Sequence, residues 1–262
     1  MHLLPTSQTR RDGLDNDWFA LRHGAVRSAA MARRPPDELP TGETKVKAVQ
    51  SMFDTIAPRY DLVNRVMTFR MDVGWRRKAL ASLALPHGSV VLDLACGTGD
   101  LCRGLAGRGY RPVGMDMSFG MLAAARVDTP LVQADALRLP IDSRSVDGVT
   151  CGFALRNFRD LDPFFSELGR VVRPGGRIAL LEVSEPNNPV LRWGHGIYFG
   201  KVVPVIGGLL SDPAAYRYLP RSVAYLPPAD EMLELLAGHG FSNVERSLLS
   251  TGIAQLITAT RS

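Results

Sequence analysis

The sequence predicts an α/β fold: a three-layer α/β/α sandwich whose seven-stranded sheet is mostly parallel, with an antiparallel strand at the C-terminal end. Three observations carry this prediction. Short apolar runs alternate with helix-compatible segments between positions 90 and 183, a pattern typical of parallel βαβ units. The first apolar run leads into two closely spaced glycines, Gly97 and Gly99. Near the C-terminus, two strand-like runs, 244–249 and 253–260, follow each other directly and predict an antiparallel pair at one edge.

Composition excludes several classes of protein. The chain has 262 residues, of which 45% are hydrophobic and 22% charged, as in ordinary globular proteins. Its net charge of +5 is not gathered into a basic stripe, so nucleic-acid binding is not indicated, although attraction to an anionic membrane surface is compatible with it. Cys96, Cys102 and Cys151 lack metal-site spacing and indicate free thiols in a reducing cytoplasm. No apolar run is long enough to span a membrane.

The N-terminal part of the chain divides at about residue 45. Residues 1–44 carry balanced charges and several prolines, which predicts a disordered extension; alternatively, Met31 is the natural start. The folded domain is predicted over 45–262. Its first part, 45–85, has apolar residues at helical spacing with an interruption at Pro58, and is interpreted either as a roof over a ligand site or as a cap on the sheet edge.

The glycine turn after the first strand predicts a site for a nucleotide-like ligand. Without side chains at Gly97 and Gly99, a ligand can lie against the backbone, and the following helix start offers free N–H groups. The dinucleotide fingerprint is incomplete because Cys102 stands at its third glycine position. Asp93 and Asp100 would repel a pyrophosphate, whereas they suit an amino group and a cationic centre, as in S-adenosylmethionine. A turn that holds no ligand is the plainer alternative.

Acids at the ends of the next two strands extend this site. Asp116 closes the second strand about 20 residues after the glycines, where a carboxylate can accept both ribose hydroxyls. A third strand predicted over 131–136 contains Asp135, which can accept from an adenine amine while a neighbouring backbone N–H meets the ring. We therefore assign Met117 and Ala136, which follow the two acids, to the same site. The carboxyl edge of a parallel sheet is where such folds bind ligands.

The fourth and fifth strands are predicted at 148–153 and 177–183. Arg156 and Asn157 follow the fourth strand, where a second substrate would meet the first ligand. Glu182, in the fifth strand, is either an acid of the site or an edge residue. Helices are predicted at 101–106, 119–126, 163–172 and 229–237.

An apolar segment over 190–222 stands apart from this pattern. Between positions 193 and 210, ten large apolar residues are interrupted by five glycines, too often for a membrane-spanning helix. The segment predicts either a mobile lid or tunnel wall for a hydrophobic substrate, or a pair of buried helices.

Several blocks of sequence resemble one family of enzymes. The glycine block resembles the first motif of class I methyltransferases, and the whole set, in order, is similar to the ubiquinone/menaquinone C-methyltransferase family. The Leu-Arg-Asn block and the tyrosine-rich block near position 216 are fairly specific to that family, while the glycine and Arg-Pro-Gly-Gly blocks are shared more widely. The blocks are 60–64, 75–76, 93–100, 155–158, 170–176, 181–186 and 216–222.

The resemblance implies a class I S-adenosylmethionine-dependent methyltransferase that methylates a ring carbon of a polyprenylated quinol, most simply demethylmenaquinol to menaquinol. A benzoquinol intermediate of ubiquinone biosynthesis, or another small phenol or sterol, is the alternative substrate. It also implies a cytoplasmic enzyme that associates peripherally with the inner face of the cell membrane, and a possible homodimer. No metal is needed. A nicotinamide oxidoreductase is disfavoured by Cys102 and Asp135, and a non-catalytic module by the intact glycine motif.

Methylation of an aromatic carbon needs a proton acceptor and a group that holds the developing phenolate, and the resemblance suggests the residues. Arg156 is expected to stabilise the oxyanion and Asn157 to orient it, while water or one of Tyr60, Asp61, Tyr216 and Tyr218 accepts the proton. Asn64, Tyr216 and Tyr218 are assigned to substrate binding. The cofactor-binding residues are Asp93, Gly97, Thr98, Gly99, Asp116, Met117, Asp135 and Ala136.

Two single residues and one segment depart from the family pattern. Arg70 stands where the family usually has glycine, and Gly152 stands where serine is common. The segment 250–253, Ser-Thr-Gly-Ile, replaces a more glycine-rich block. These departures concern the substrate more than the chemistry.

Overall fold

The computed structural model describes residues 39–262. Of the extension predicted over 1–44, positions 1–38 therefore lie outside the described residues. The first helix begins at Gly42, three residues before the boundary predicted for the folded domain.

The described residues contain a single sheet of seven strands, which confirms the predicted fold class. The strand order is β3-β2-β1-β4-β5-β7-β6. β7 is antiparallel to both of its neighbours, and the other neighbouring strands are parallel. The strands are β1 (Val90–Leu94), β2 (Arg111–Asp116), β3 (Leu131–Gln133), β4 (Val146–Gly152), β5 (Val172–Val183), β6 (Phe241–Leu249) and β7 (Ala254–Arg261).

Helices cover both faces of the sheet, and others lie over the carboxyl ends of its strands. Within residues 39–262 they are α1 (Gly42–Ile56), α2 (Tyr60–Met67), α3 (Met71–Ser82), α4 (Asp100–Ala106), α5 (Phe119–Ala124), α6 (Leu161–Val171), α7 (Pro189–Ile197), α8 (Val203–Leu210), α9 (Pro213–Ser222) and α10 (Ala229–Gly238). Several have polar caps. Ser118, for example, accepts a hydrogen bond from the Met121 N–H at 3.1 Å at the start of α5.

The central strands are buried because both faces of the sheet are covered. On one face, α6 and α10 supply Phe164, Phe165 and Leu236, all with no exposed area. On the other face, Leu83, which directly follows α3, and Leu105 of α4 are equally buried. Burying one such side chain stabilises the fold by about 1.5–3 kcal/mol, and the parallel strands accordingly have continuous apolar runs.

The N-terminal helices pack in two different places, on the sheet and beyond the carboxyl ends of its strands. The predicted interruption at Pro58 is a 3-10 turn, Ala57–Arg59, between α1 and α2. α3 packs on the sheet, whereas α1 and α2 form a separate apolar cluster with α8 and α9 beyond the carboxyl ends of the strands. This cluster forms the roof over the edge where the predicted site lies.

Two predicted elements end at least two residues earlier than expected. β3 ends at Gln133 rather than at Ala136, because the Asp135 carboxylate accepts from the Leu137 N–H at 2.9 Å and closes a turn. The helix predicted over 119–126 ends at Ala124, since the next residue has extended backbone, with ψ of 138°. Neither difference moves the acids away from the sheet edge.

The apolar segment is helical, and it is not a pair of buried helices. α7 and α8 are joined by one π-helical turn, Tyr198–Val202. Trp193 is 71% exposed and Leu209 is 80% exposed, so large apolar side chains face outward. In the part of the chain that the structure describes, no helix combines the length and the apolar character needed to cross a membrane.

Candidate active site

The glycine turn is held in a conformation that favours glycine. Gly97 and Gly99 have φ of +56° and +85°, and a Cβ on Gly99 would lie 2.8 Å from Val127 Cγ1. The Gly97 N–H donates to Asp116 Oδ2 at 2.8 Å, and the Ser118 N–H donates to Oδ1 at 2.8 Å. The carboxylate at the end of β2 is thereby fixed against the turn. Burial raises the pKa of Asp116.

A cavity opens at the carboxyl ends of β1, β2, β3 and β4, and we call it the strand-end cavity. Five of the predicted cofactor residues line it: Gly97, Asp116, Met117, Asp135 and Ala136. Gln50 of α1 donates to the Met117 carbonyl at 3.0 Å, which joins the helical roof to this edge.

Asp93 lies beneath the turn and lines neither this cavity nor the apolar cavity described below. It has no exposed area, and it accepts from Thr150 Oγ1 at 2.9 Å and from Cys102 Sγ at 3.4 Å. Burial raises the pKa of Asp93 to about 7. Its contacts tie β1 to β4 and to α4, so in this structure it supports the turn from behind.

Thr98 and Asp61 contact each other rather than either cavity. The Thr98 hydroxyl donates to Asp61 Oδ1 at 2.5 Å, and Arg65 lies 4.0 Å from the other oxygen of this carboxylate. Arg65 also pairs with Asp100 at 3.2 Å. These contacts fasten α2 to the glycine turn and occupy the carboxylate that was predicted as a proton acceptor.

A second, apolar cavity of about 390 Å³ lies under the roof and is called the apolar cavity. Phe53, Tyr60 and Phe153 line both cavities, so the two meet at these three rings. The other residues that line the apolar cavity are Asn64, Met67, Thr68, Phe69, Met71, Asp72, Trp75, Arg76, Arg156, Val183, Pro186, Val190, Leu191, Gly194, His195, Tyr198, Phe199, Val203, Leu219, Val223, Thr251 and Ile253. A ligand bound in the strand-end cavity would therefore meet a ligand bound in the apolar cavity beside Tyr60.

Arg156 reaches the apolar cavity from the turn after β4. Its guanidinium forms a buried ion pair with Glu182, donates to the Phe153 carbonyl at 2.9 Å and donates to Ser222 Oγ at 3.2 Å. Glu182 has no exposed area, and its strand, β5, lies between β4 and β7. It is therefore not an edge residue, and it contacts the apolar cavity through Arg156.

Asn157 lines the strand-end cavity, whereas Arg156, its neighbour in sequence, lines the apolar one. The Tyr218 hydroxyl donates to Asn157 Oδ1 at 3.2 Å, and burial raises the pKa of that tyrosine. Asn157 therefore keeps its amide N–H groups for another acceptor.

The remaining predicted residues divide between the cavity wall and the core. Tyr60 and Asn64, one helical turn apart on α2, line the apolar cavity, and burial raises the pKa of Tyr60. Tyr216 lines neither cavity and is fully buried under α8, where a Cβ on Gly207 would lie 2.0 Å from Tyr216 Cγ. Burial raises the pKa of Tyr216 to about 12.

Several groups in the apolar cavity were not predicted from the sequence. Arg76 forms an ion pair with the buried Asp72, and both line the cavity. The Trp75-Arg76 block could have indicated this pair. Asp72 and Arg76 both lie on α3, so a helix that brings Arg76 to the site brings Asp72 there as well. His195 also lines the cavity, and no sequence signal marks it.

The carboxylates at the strand ends fit S-adenosylmethionine better than a pyrophosphate ligand. Asp116 and Asp135 line the strand-end cavity as acceptors for hydroxyl and amino groups. Arg159, the basic residue among the lining residues, forms an ion pair with Glu43. A pyrophosphate would therefore meet carboxylates without a free cation, whereas ribose hydroxyls and an ammonium group would find acceptors.

Comparison with known proteins identifies relatives over nearly the whole described chain. A family model described as the ubiE/COQ5 methyltransferase family matches residues 41–261. A demethylmenaquinone methyltransferase of Thermus thermophilus is 42% identical, over 78% of this chain and 97% of that protein. One of Roseiflexus castenholzii is 40% identical, over 84% and 96%. A ubiquinone/menaquinone biosynthesis C-methyltransferase UbiE of Syntrophotalea carbinolica is also 40% identical, over 80% and 93%.

Solved structures with low sequence identity share the fold. The [4+2]-cyclase SpnF aligns with a TM-score of 0.60 at 16% identity, over 85% of this chain and 96% of its own. A possible histamine N-methyltransferase of Thermotoga maritima aligns with a TM-score of 0.58 at 17% identity, over 81% and 99%. The family match confirms the predicted methyltransferase activity and the predicted cofactor, S-adenosylmethionine. The chain belongs to the ubiE/COQ5 methyltransferase family.

Proposed function

We propose that the enzyme methylates a ring carbon of a polyprenylated quinol, most simply demethylmenaquinol to give menaquinol. The observation that carries the proposal is the large apolar cavity that meets the strand-end cavity at Phe53, Tyr60 and Phe153. A flat aromatic ring fits such a wall, and the relatives named demethylmenaquinone methyltransferase support the choice of a naphthoquinol.

The cofactor would bind along the strand ends. Asp116 would accept from the ribose hydroxyls, and Asp135 with Ala136 would face the adenine, while Gly97 lets the ligand approach the backbone. When bound, S-adenosylmethionine supplies an electrophilic methyl group on a sulfonium sulfur. Thr98, Gly99 and Asp93 would contribute by holding the turn rather than by touching the ligand, because none of the three lines the cavity.

The quinol ring needs help to become a carbon nucleophile. Loss of a hydroxyl proton pushes negative charge onto the ring, so a cation or N–H donor near that oxygen lowers the barrier. Arg156 would supply this donor, with its orientation fixed by Glu182, Phe153 and Ser222. Asn157 would orient the reacting groups from the other side, where the two cavities meet.

We further propose that the segment 190–222 is a lid over the apolar cavity and that the enzyme works in the cytoplasm at the inner face of the membrane. The prenyl chain of the substrate is confined to a bilayer, and exposed Val190, Trp193 and Leu209 could contact one. Sedimentation with anionic lipid vesicles tests this, since replacing Trp193 and Leu209 by serine should release the protein. The predicted homodimer stays a prediction that analytical ultracentrifugation can test.

The substrate is tested by methyl transfer from labelled S-adenosylmethionine in detergent or lipid. Demethylmenaquinol, a prenylated benzoquinol and a simple phenol are compared at equal concentration. We expect kcat/KM to be highest for demethylmenaquinol. Preference for the benzoquinol would move the enzyme to ubiquinone biosynthesis, and preference for the phenol would discard the quinol assignment while leaving the cofactor chemistry intact.

A further inference from the structure

His195 lines the apolar cavity and has a ring nitrogen without a hydrogen-bond partner among the described residues. It lies on α7, lines that cavity, and stacks against Phe199 with ring centroids 4.3 Å apart. Its Nε2 is buried and has no hydrogen-bond partner among residues 39–262. An unsatisfied buried polar atom costs about 1–3 kcal/mol, so its presence needs a reason, and a ligand with a hydroxyl group supplies one.

The other ionisable groups of the cavity are already engaged. Asp72 pairs with Arg76 and accepts from Thr68 Oγ1 at 2.7 Å, and Glu182 neutralises Arg156. Tyr198 donates its hydroxyl to the Met67 carbonyl at 2.7 Å. Each of these side chains is therefore already held by a partner within the protein.

The proton acceptors suggested by sequence are no better placed. Asp61 accepts from Thr98 and lies outside both cavities. Tyr60 lines both, but its pKa is raised by burial, so it stays protonated. Tyr216 is buried in the core. Among the described residues that line the apolar cavity, the imidazole of His195, with its free nitrogen, is the base that remains.

We propose that His195 Nε2 is the base that takes the proton from the quinol hydroxyl, an inference that rests on the proposed function. In this step the O–H bond breaks and an N–H bond forms on Nε2. The electron pair stays on the oxygen, giving a phenolate and an imidazolium, so nothing is oxidised or reduced. The imidazolium later returns its proton to solvent. Arg156, lining the same cavity, stabilises the phenolate that results.

The protonation state of His195 suits this role. Burial lowers its pKa below the ordinary value of 6.5, and Glu185 opposes the shift, so the imidazole is neutral at neutral pH. The rate should therefore rise as pH rises through a value below 6.5 and then level off. The other titratable or charged groups around the cavity are Tyr60, Asp72, Arg76, Arg156 and Tyr198.

The test compares His195→Gln with a matched control, His239→Gln. Glutamine keeps a polar group near Nε2 but cannot take a proton, and His239 pairs with Asp162 away from both cavities. For His195→Gln we expect kcat to fall by about 100-fold or more, while KM and the Kd of S-adenosylmethionine change by less than about threefold. The acid limb of the kcat–pH profile should disappear in this variant and persist in the control.

Two kinetic results would overturn the inference: a His195→Gln variant within about threefold of wild-type kcat, or one that keeps the acid limb. The wild-type measurement separates this from failure of the proposed function. If wild type prefers a simple phenol to quinols, the substrate proposal fails and the same variants are compared on the phenol. The chemical shifts of the His195 imidazole, measured by NMR while 1-naphthol is added, detect contact with a phenol in the absence of turnover. A His195 signal that does not respond to the bound phenol contradicts the proposal.

Discussion

Replacing Glu182 by glutamine removes the charge that balances Arg156. The two side chains are 0% and 6% exposed, so water cannot take over the lost interaction. The carboxylate accepts from Arg156 Nη1, from the Arg156 N–H at 3.2 Å and from the Val183 N–H at 2.8 Å. Glutamine has one acceptor oxygen in place of two, so at least one buried donor is left unpaired beside an uncompensated guanidinium.

The expected loss of stability is large enough to measure and small enough to leave a folded protein. Removing one partner of a buried ion pair costs about 3–5 kcal/mol, whereas folded domains have free energies of unfolding of about 5–15 kcal/mol. At roughly 2–4 °C per kcal/mol for a domain of this size, the Tm of Glu182→Gln should fall by about 10 °C. We also expect kcat to fall, because the guanidinium loses the contact that orients it.

The assay is urea unfolding followed by circular dichroism, with Glu43→Gln as the control. Glu43 pairs with Arg159 at side-chain exposures of 71% and 45%, and an exposed pair contributes at most about 1 kcal/mol. A loss below about 1 kcal/mol for Glu182→Gln, with an unchanged m-value, would refute the view that this pair is a buried structural element of the site.

Three further predictions concern single residues. Arg70 is exposed with φ of +62°, so Arg70→Gly should raise the free energy of unfolding by about 1 kcal/mol in urea unfolding; destabilisation would contradict the strain. The pKa of Asp93 is raised to about 7 by burial, so the folded state binds more protons than the unfolded state and stability falls as pH rises from about 4 to about 7. Urea unfolding at several pH values should show this slope, and Asp93→Asn should flatten it. Asp116→Asn loses an acceptor for the N–H of Gly97 or Ser118. Calorimetry should then give a Kd for S-adenosylmethionine at least about tenfold weaker, whereas an unchanged Kd would remove Asp116 from the binding site.

The sheet and its acids were predictable from sequence because their signals are local. Apolar runs that end in Asp116 or lead into Gly97 determine which strand ends carry polar groups, and parallel strands bring those ends together. The partner of Arg156 was not predictable in this way. It depends on the β4–β5 register, which pairs Gly152 with Leu181 and so places Glu182 beside the turn after β4.

Helix periodicity predicts which of the α2 side chains share a face. Tyr60 and Asn64 are four residues apart and share a face of α2, whereas Asp61 is displaced by about 100° around the helix axis. The structure accordingly has the first two at the apolar cavity and Asp61 against Thr98. His195 had no such signal, because its place depends on how α7 packs over the cavity.

Two departures from the family pattern coincide with backbone that favours glycine. Arg70 has φ of +62°, and Ser250 and Thr251 have φ of +48° and +60°. At Ser250 the side chain gains a contact, since Trp75 Nε1 donates to its hydroxyl at 2.8 Å. The sequence shows that glycine is missing at these positions, and the structure shows that the backbone keeps the left-handed conformation without it.

The central claim is that the methyl group is transferred to a ring carbon of a quinol. It is tested most directly by incubating the enzyme with demethylmenaquinol and S-adenosylmethionine that carries a deuterated methyl group, then isolating and oxidising the product. We expect a product that oxidises to a quinone and keeps the deuterated methyl group on its ring. A deuterated methyl ether that resists oxidation to a quinone would show oxygen methylation and would contradict the account.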